Sequence, residues 1–252
     1  MIRRLLGLIR YNKDWPLYLL SRYFPPKEGS VVKFRLRNGM AIEMPADGRF
    51  VLNEIFLGRV YDVDGLDFSK IRNVLDLGAN VGTFAIYVCS RAPQATLHCF
   101  EPSKVNFDRL HANLTTNSAP AKAHRYAIST EPGTATLDTG GASVEYALAS
   151  GNDGAPSVNS ESVECIHLAG IFALTKVDHF DFVKSDIEGI EREIINACPD
   201  ELLLRMGAIT IEWHHGLPEL ETIAGRLRDL GFEAKAVSID GCCYLKAMKR
   251  KN

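Results

Sequence analysis

The stretch that most constrains this chain spans residues 73–84 and reads NVLDLGANVGTF. It begins as a short apolar strand, passes through the glycines Gly78 and Gly82, and continues in a helical pattern. Glycine has no Cβ and tolerates positive φ, so a turn of this kind brings the backbone close to a ligand. The sequence therefore predicts a strand, a ligand-binding turn and a helix at this point.

Strand and helix patterns alternate from this turn to the end of the chain. After the opening strand, the apolar periodicity predicts strands over residues 95–100, 121–128, 181–187, 208–214, 233–239 and 242–248. It predicts helices over residues 83–91, from the N-cap Ser103 to residue 116, over 189–197 and over 218–230. This alternation predicts an α/β fold with a doubly wound, mostly parallel, seven-stranded sheet.

Two regions outside this alternation set the predicted domain organisation. Residues 1–70 predict an N-terminal extension of helices and a β-hairpin, which precedes the main domain over residues 71–252. Within that domain, residues 129–176 contain Pro-Gly, Gly-Gly and Gly-Ala-Pro breaks. So long a stretch without clear periodicity indicates a β-rich or partly mobile insertion.

The N-terminal extension carries its own patterns. The first 24 residues combine apolar side chains with five basic residues and one acidic residue, a net charge of +4, which predicts one or two amphipathic helices. These helices either cap the main domain or a second subunit, or lie on an anionic membrane surface. Residues 31–44 alternate around Asn38-Gly39, which predicts a hairpin with a type I′ turn, and residues 49–61 have helical spacing.

The composition limits the partners that we expect. A formal net charge of −2 creates no global field that attracts nucleic acid, so no nucleic-acid partner is expected. No run of eighteen apolar residues occurs, and Arg10 interrupts the apolar stretch at the start. We therefore expect a cytoplasmic protein, with peripheral contact at the inner face of the membrane through residues 1–24 as an open alternative. The oligomeric state is not predicted.

Polar residues follow four of the predicted strands. They lie at residues 76–80, at Glu101, at residues 186–188 and at residues 212–215. Ligands of open α/β sheets bind at the carboxyl ends of the strands, so we expect these positions to converge in one cleft.

The turn and the next strand end favour one class of ligand. The turn has the form D-x-G-x-x-x-G, whereas a dinucleotide pyrophosphate is bound by G-x-G-x-x-G. Asp76 would repel a phosphate but suits an ammonium group, and Glu101 is placed to accept hydrogen bonds from both hydroxyls of a ribose. A ligand with a ribose and a cationic amino-acid group, but no phosphate, fits S-adenosylmethionine better than NAD.

Four segments together resemble a known family. VLDLGANVGTF in the turn, FEPS at residues 100–103, DFVKSDIEGIE at residues 181–191 and IEWH at residues 211–214 resemble the FkbM-type S-adenosylmethionine-dependent methyltransferases. The resemblance covers roughly residues 50–215 and implies a Rossmann-like class I methyltransferase fold with a reversed last strand. It implies methyl transfer to a hydroxyl of a sugar, glycoconjugate or natural-product acceptor, which is a small molecule or a glycan.

The resemblance also implies a cofactor site. The residues that it assigns to the methionine side of S-adenosylmethionine are Asp76, Gly78, Asn80 and Gly82. Glu101 is assigned to the ribose, and Ala127 and Ile128 are placed beside the adenine.

Methyl transfer to an alcohol requires a positioned acceptor and removal of its proton. The candidates for this role are Asp186, Glu188, Glu212 and His214. Histidine is the usual general base near neutral pH, which favours His214, whereas clustered carboxylates either raise one another's pKa or bind a divalent cation. Because no spacing is diagnostic of a metal, we expect a metal-free base and no metal site.

Two other functions are compatible with the chain. An NAD(P)-dependent oxidoreductase is disfavoured by the absence of G-x-G-x-x-G. A non-catalytic cofactor-binding scaffold protein is disfavoured by the retained Asp186, Glu188 and His214.

Overall fold

The computed structural model describes residues 2–24, 26–27, 29–138, 147–148, 160–215 and 217–250. The strands are β1 (Val31–Arg35), β2 (Ala41–Pro45), β3 (Asn73–Leu77), β4 (Thr96–Phe100), β5 (Ala121–His124), β6 (Ala127–Ile128), β7 (Gly133–Asp138), β8 (Ala147–Leu148), β9 (Ser160–Ile166), β10 (Phe180–Ser185), β11 (Met206–Trp213), β12 (Phe232–Ile239) and β13 (Cys242–Lys249). The α-helices are α1 (Ile2–Tyr11), α2 (Trp15–Tyr23), α3 (Phe50–Asn53), α4 (Thr83–Arg91), α5 (Lys104–Thr116), α6 (Leu168–Thr175), α7 (Glu191–Ala197), α8 (Asp200–Leu203) and α9 (Leu217–Asp229).

Seven strands form the central sheet in the order β12, β13, β11, β10, β3, β4, β5. The neighbours from β11 to β5 pair in parallel, while β13 runs antiparallel to both β11 and β12. The direction of strand order reverses between β3 and β10, which is where open α/β sheets bind their ligands. The predicted doubly wound, mostly parallel, seven-stranded sheet with one reversed strand is confirmed.

The central sheet is buried on both faces. Val74 and Phe182 point into one apolar core, which also contains side chains of α4 and α5. Their neighbours Leu75 and Val183 point into a second core with α6, α7 and α9. Parallel strands covered on both faces read as near-continuous apolar runs, which is why the sequence shows them clearly.

The predicted strand over residues 121–128 is wrong as a single element. β5 lies at the edge of the central sheet, whereas β6 pairs in parallel with β9 in a second sheet of order β6, β9, β7, β8. Between the two strands, the N–H of Tyr126 donates to the carbonyl of His124 at 3.2 Å and turns the chain. Ala127 and Ile128 thereby come to lie over the strand ends of the central sheet.

The region of residues 129–176 contains strands and a helix in its described part. β7 pairs antiparallel with β8 and β9. Helix α6 contributes Ile171 and Phe172 to the second core. Residues 139–146 and 149–159 of the expected insertion lie outside the described residues, and the domain boundaries stay a prediction.

β1 and β2 form the predicted hairpin, but the predicted turn type is wrong. The N–H of Gly39 donates to the carbonyl of Leu36 at 3.2 Å, and Gly39 has a φ of +93° while Asn38 does not adopt positive φ. A type I′ turn requires positive φ at both central residues. The N–H of Leu36 instead pairs with the carbonyl of Met40 at 2.7 Å, so the loop has three residues with glycine in the left-handed position.

The predicted helix over residues 49–61 is wrong in its length. Helix α3 ends at Asn53, a π-type turn follows over Glu54–Gly58, and Arg59 adopts a φ of +51°. A residue in the left-handed conformation commonly ends a helix. Tyr61 therefore lies outside the helix, and its hydroxyl reaches the ends of β10 and β11.

The predicted amphipathic helices are present as α1 and α2. Leu8 is buried, and Tyr11 stacks on Phe56 with ring centroids 5.3 Å apart, so one face covers the main domain. Leu20 and Phe24 are exposed on the outer face. Among the described helices, none has the length and apolarity needed to cross a membrane. Peripheral membrane contact through these helices stays a prediction.

Replacing Gly78 by alanine tests the packing of the glycine turn. The new Cβ would overlap the carbonyl oxygen of Asp186, and the residue would be held at a φ of +74°. We expect the free energy of unfolding, measured by urea denaturation, to fall by about 2–5 kcal/mol. Gly65→Ala is the matched control, because Gly65 has a φ of +81° but open space around it, and should cost about 1–2 kcal/mol. Equal losses in the two variants would contradict this account.

Candidate active site

The carboxyl ends of β3, β4, β10 and β11 meet at one edge of the central sheet. The N–H groups of Gly78 and Ala79 donate to the carbonyl of Phe100 at 3.0 and 2.9 Å, which anchors the turn to the end of β4. The N–H of Asp186 donates to the carbonyl of Leu77 at 3.1 Å, which fixes the end of β10 against the same turn. The structure thus brings the polar strand ends together.

A narrow cleft lies over the turn, between the central sheet and the second sheet. The predicted cofactor residues that line this first cleft are Gly78, Asn80, Glu101, Ala127 and Ile128. Three further residues line it that the sequence did not indicate, namely Asn106 from the first turn of α5, Tyr126 and Leu137. Asn106 is a buried polar residue. Its position three residues after the Ser103 cap was the sequence signal that could have indicated it.

Glu101 is the acidic residue of the first cleft. It is 5% exposed, its Oε2 accepts the N–H of Asn80 at 2.8 Å, and its Oε1 accepts the N–H of Ser103 at 3.0 Å. Burial raises the pKa of Glu101 to about 7, although these two N–H groups oppose the shift. Ligand hydroxyls that donate to Glu101 would favour its ionised form.

Two predicted cofactor residues do not line the first cleft. Gly82 begins α4 with a φ of +89°, and a Cβ there would lie 2.8 Å from the Leu110 side chain, so this glycine serves the packing of α4 on α5. Asp76 is fully buried beneath the turn. The predicted contact of Asp76 with a cofactor ammonium is not supported by this position.

Asp76 instead pairs with Lys184, a residue that the sequence interpretation left without a role. The two residues are in register on β3 and β10, and Lys184 is 3% exposed. Its Nζ lies 3.3 Å from Oδ1 of Asp76, 3.5 Å from Oδ2 of Asp186 and 2.7 Å from the carbonyl oxygen of Gly78. Burial alone would lower the pKa of Lys184, but the carboxylates of Asp76, Asp186 and Glu212 outweigh burial and raise it. Lys184 is therefore a buried ammonium.

A second cavity, of about 500 Å³, lies on the other side of the turn. Its apolar wall comes from the N-terminal region and includes Met44, Phe50, Val51 and Ile55. Its polar wall includes Glu54, Tyr61, Lys184, Asp186, Glu188, Glu212 and His214. The four predicted catalytic residues thus share one cavity.

Tyr61 joins two of these carboxyl groups. Its hydroxyl lies 2.8 Å from Oδ2 of Asp186 and 2.7 Å from Oε2 of Glu212. A phenol has one proton, so Tyr61 donates to one carboxylate at a time, and its second contact becomes a hydrogen bond when that carboxyl group gains a proton. Burial, followed by repulsion from Asp186, raises the pKa of Glu212, so Glu212 is a group that can take up a proton at this wall.

His214 is surrounded by carboxylates. Its Nδ1 lies 2.9 Å from Oε1 of Glu191, and its Nε2 lies 3.3 Å from Oε2 of Glu188. Burial lowers the pKa of His214, but Glu191, Glu188 and Asp186 outweigh it and raise the pKa to about 9. A protonated imidazole cannot accept a further proton, so the geometry does not support the predicted preference for His214 as the general base.

Asp186 and Glu188 occupy a turn after β10, because the strand ends at Ser185 and not at residue 187. Glu188 adopts a φ of +59° and Gly189 a φ of +107°, which folds the chain back toward His214. Burial, followed by repulsion from Asp186, raises the pKa of Glu188 to about 7. Glu188 is consequently poised to exchange a proton near neutral pH.

The first cleft and the second cavity share one wall. The residues that line both are Gly78, Asn80, Asp186 and Glu188. A group bound in the cleft and a group bound in the cavity would therefore meet beside the two carboxylates.

Comparison with known proteins identifies a family that this chain matches. The family described as "Methyltransferase FkbM domain" matches residues 76–234. The chain is 26% identical over 235 residues to "31-O-demethyl-FK506 methyltransferase FkbM" of Streptomyces tacrolimicus, which covers 82% of this chain and 90% of that protein. It is 26% identical over 245 residues to "AMB antimetabolite synthetase AmbE" of Pseudomonas aeruginosa, covering 81% of this chain but 11% of that protein.

Solved structures agree on the fold. The METTL16 MTase domain aligns with a TM-score of 0.52 and 13% sequence identity, covering 85% of this chain and 75% of that chain. At this identity the likeness concerns the fold alone. The class I methyltransferase architecture expected from the sequence is confirmed.

The pKa of Glu101 predicts how cofactor binding depends on pH. Ribose hydroxyls bound in the first cleft would donate to the carboxylate of Glu101, so affinity for the cofactor would be full above the pKa of about 7 and would be lost as Glu101 becomes protonated below it. Calorimetry with S-adenosylhomocysteine should show affinity falling by up to about tenfold per pH unit below pH 7. The pKa of Glu101 stays raised because the effect of burial outweighs that of Lys184, which lowers this pKa. Asp76 raises it further.

Glu101→Gln should bind S-adenosylhomocysteine about 10- to 100-fold more weakly at pH 8 and should show a shallower pH dependence between pH 6 and 8, with the remainder due to Glu188, whose pKa is also raised to about 7. Glu164→Gln is the matched control, because Glu164 is exposed on β9. An unchanged pH profile in Glu101→Gln would assign the titration to another group.

Proposed function

Because the chain belongs to the FkbM methyltransferase family, we propose that this S-adenosylmethionine-dependent methyltransferase methylates a hydroxyl oxygen of a small-molecule or glycan acceptor. The acceptor classes are sugars, glycoconjugates and natural products. The observation that carries the proposal is the wall of Gly78, Asn80, Asp186 and Glu188, which separates a nucleoside-type cleft from an acceptor-sized cavity.

S-adenosylmethionine fits the residues of the first cleft. Glu101 offers a buried carboxylate to ribose hydroxyls, and Ala127 and Ile128 offer buried apolar surface to an adenine. Asp186 and Glu188 supply the negative charge that a cationic amino-acid group needs, in place of the buried Asp76. When bound, the cofactor supplies an electrophilic methyl group.

The second cavity fits a hydroxylated acceptor with an apolar body. A volume of about 500 Å³ lies within the range of small-molecule sites. Phe50, Val51 and Ile55 would cover apolar parts of the acceptor, while the carboxyl groups at the shared wall accept hydrogen bonds from its hydroxyl. A relative whose name specifies a 31-O-demethyl substrate supports oxygen as the methylated atom.

The chain's carboxylates are the groups that take the acceptor proton. As the acceptor oxygen takes the methyl group, its proton must leave, and Glu188 and Glu212 lie at the cavity wall with raised pKa values. His214, held as an imidazolium by Glu191, orients Glu188 and does not itself accept the proton. Tyr61 holds Asp186 and Glu212 in place.

The alternatives do not carry the same support. The family match to a methyltransferase domain argues against an NAD(P)-dependent oxidoreductase. A non-catalytic scaffold would not need several carboxyl groups at the wall between the two binding spaces.

Glu212→Gln tests the proposed chemistry, because Glu212 lines the second cavity and not the first cleft. With labelled S-adenosylmethionine and a panel of hydroxylated glycosides and macrolides, we expect kcat to fall by about 10²- to 10⁴-fold while S-adenosylhomocysteine affinity changes less than about twofold. Glu219→Gln, at an exposed ion pair with Arg192, is the control and should keep full activity. Label on nitrogen, or equal kcat in Glu212→Gln and the wild type, would contradict the proposal.

A further inference from the structure

We propose that Asp186, Glu188 and His214 bind one divalent transition-metal ion at the wall shared by the first cleft and the second cavity. The ion would hold the acceptor hydroxyl beside the methyl donor and leave Glu212 as the carboxylate that takes the proton, a role that rests on the proposed function. The binding of the ion itself rests on geometry alone. This site differs from the expectation of a metal-free centre that the sequence spacing favoured.

The three side chains present their ligand atoms at metal-binding distances. One atom of each residue lies within 4.8 Å of the others. Nε2 of His214 is 3.3 Å from Oε2 of Glu188 and 3.9 Å from Oδ1 of Asp186. Two atoms that each lie about 2.1 Å from a metal are about 3.0 Å apart at 90° and about 3.4 Å apart at the tetrahedral angle. A movement of about half an ångström of Asp186 toward His214 would bring the third ligand atom to a metal-binding distance.

Glu191 orients His214 toward the proposed metal position. Its side chain is fully buried, and its Oε1 accepts from the N–H of Ile187 at 3.2 Å and lies 2.9 Å from Nδ1 of His214. The N–H of Gly189 also donates to Oε2 of Glu191 at 3.1 Å, so the carboxylate cannot turn away. A carboxylate that holds one ring nitrogen and turns the other toward the cavity is the usual second layer around a metal-binding histidine.

Asp186 is oriented in the same way. Its Oδ2 receives the hydroxyl of Tyr61 at 2.8 Å and lies 3.5 Å from Nζ of Lys184. Its other oxygen, Oδ1, is the atom nearest to His214. Two of the three ligands are therefore oriented by residues that do not themselves bind the ion. This orientation is an observation separate from the negative charge of the cluster.

The local charge favours a cation. Asp186, Glu188, Glu191 and Glu212 converge on one lysine and one histidine. Oxygen ligands alone suit Mg²⁺ or Ca²⁺, whereas an imidazole in the set shifts the preference toward Mn²⁺ or Zn²⁺. The side that faces the second cavity remains open to a further oxygen ligand, as metal sites that bind substrate require.

Without the ion, the same contacts hold a protonated His214 in an ion-pair network, and binding of the ion would release that proton. Metal titration separates the two states. The full chain, treated with chelator, is titrated with Mn²⁺ alone and followed by calorimetry and by the paramagnetic resonance of free Mn²⁺. We expect one Mn²⁺ per chain, displaced by Zn²⁺ and not by an equal concentration of Mg²⁺. Asp186→Asn, Glu188→Gln and His214→Gln should each weaken Mn²⁺ binding by at least about 100-fold, and Glu191→Gln by about 10- to 100-fold.

Glu219→Gln is the matched control and should bind Mn²⁺ like the wild type, because Glu219 is an exposed carboxylate paired with Arg192. Far-ultraviolet circular dichroism and cooperative thermal unfolding show that each variant is folded. Absence of a stoichiometric Mn²⁺ or Zn²⁺ site in the wild type, or unchanged binding in His214→Gln, would overturn the inference. Hydroxyl methylation that persists in excess chelator would support the proposed function and contradict the role of the metal in it. Metal binding without hydroxyl methylation would support the metal site and contradict the proposed function.

Discussion

The ligand-binding edge of the sheet depends on the buried ammonium of Lys184. It lies between Asp76 and Asp186 and contacts the carbonyl oxygen of Gly78, so a single charge joins the turn after β3 to the end of β10. A buried charge that loses its partner costs several kcal/mol, which makes these carboxylates structurally necessary. Asp76 is thus explained by Lys184, whereas Asp186 and Glu188 are the carboxyl groups that face the first cleft.

The sheet and the first cleft were predictable because their signals are local. Apolar runs define strands that are covered on both faces, and a glycine turn followed by Glu101 at the next strand end marks where the first cleft lies. Gly78 shows the limit of that reasoning. Its left-handed φ was expected, but the atom that excludes a side chain belongs to Asp186, more than a hundred residues away.

The second cavity could not be predicted in the same way, because its contacts join distant segments of the chain. Tyr61 was hidden by a helix predicted over residues 49–61, which the left-handed Arg59 cuts short. Glu191 lies in the helix predicted over residues 189–197, where the sequence carries no signal of burial, yet it is fully buried against His214 and changes that residue from a base into a cation or a ligand. A lysine within the apolar run of β10 was the one visible signal for the buried ion pair.

The first cleft and part of the second cavity come from separate stretches of the chain. Much of the apolar wall of the second cavity comes from residues 44–55, whereas the first cleft is built from residue 78 onward. Substitutions in the early segment can therefore reshape the second cavity without changing any residue that lines the first cleft.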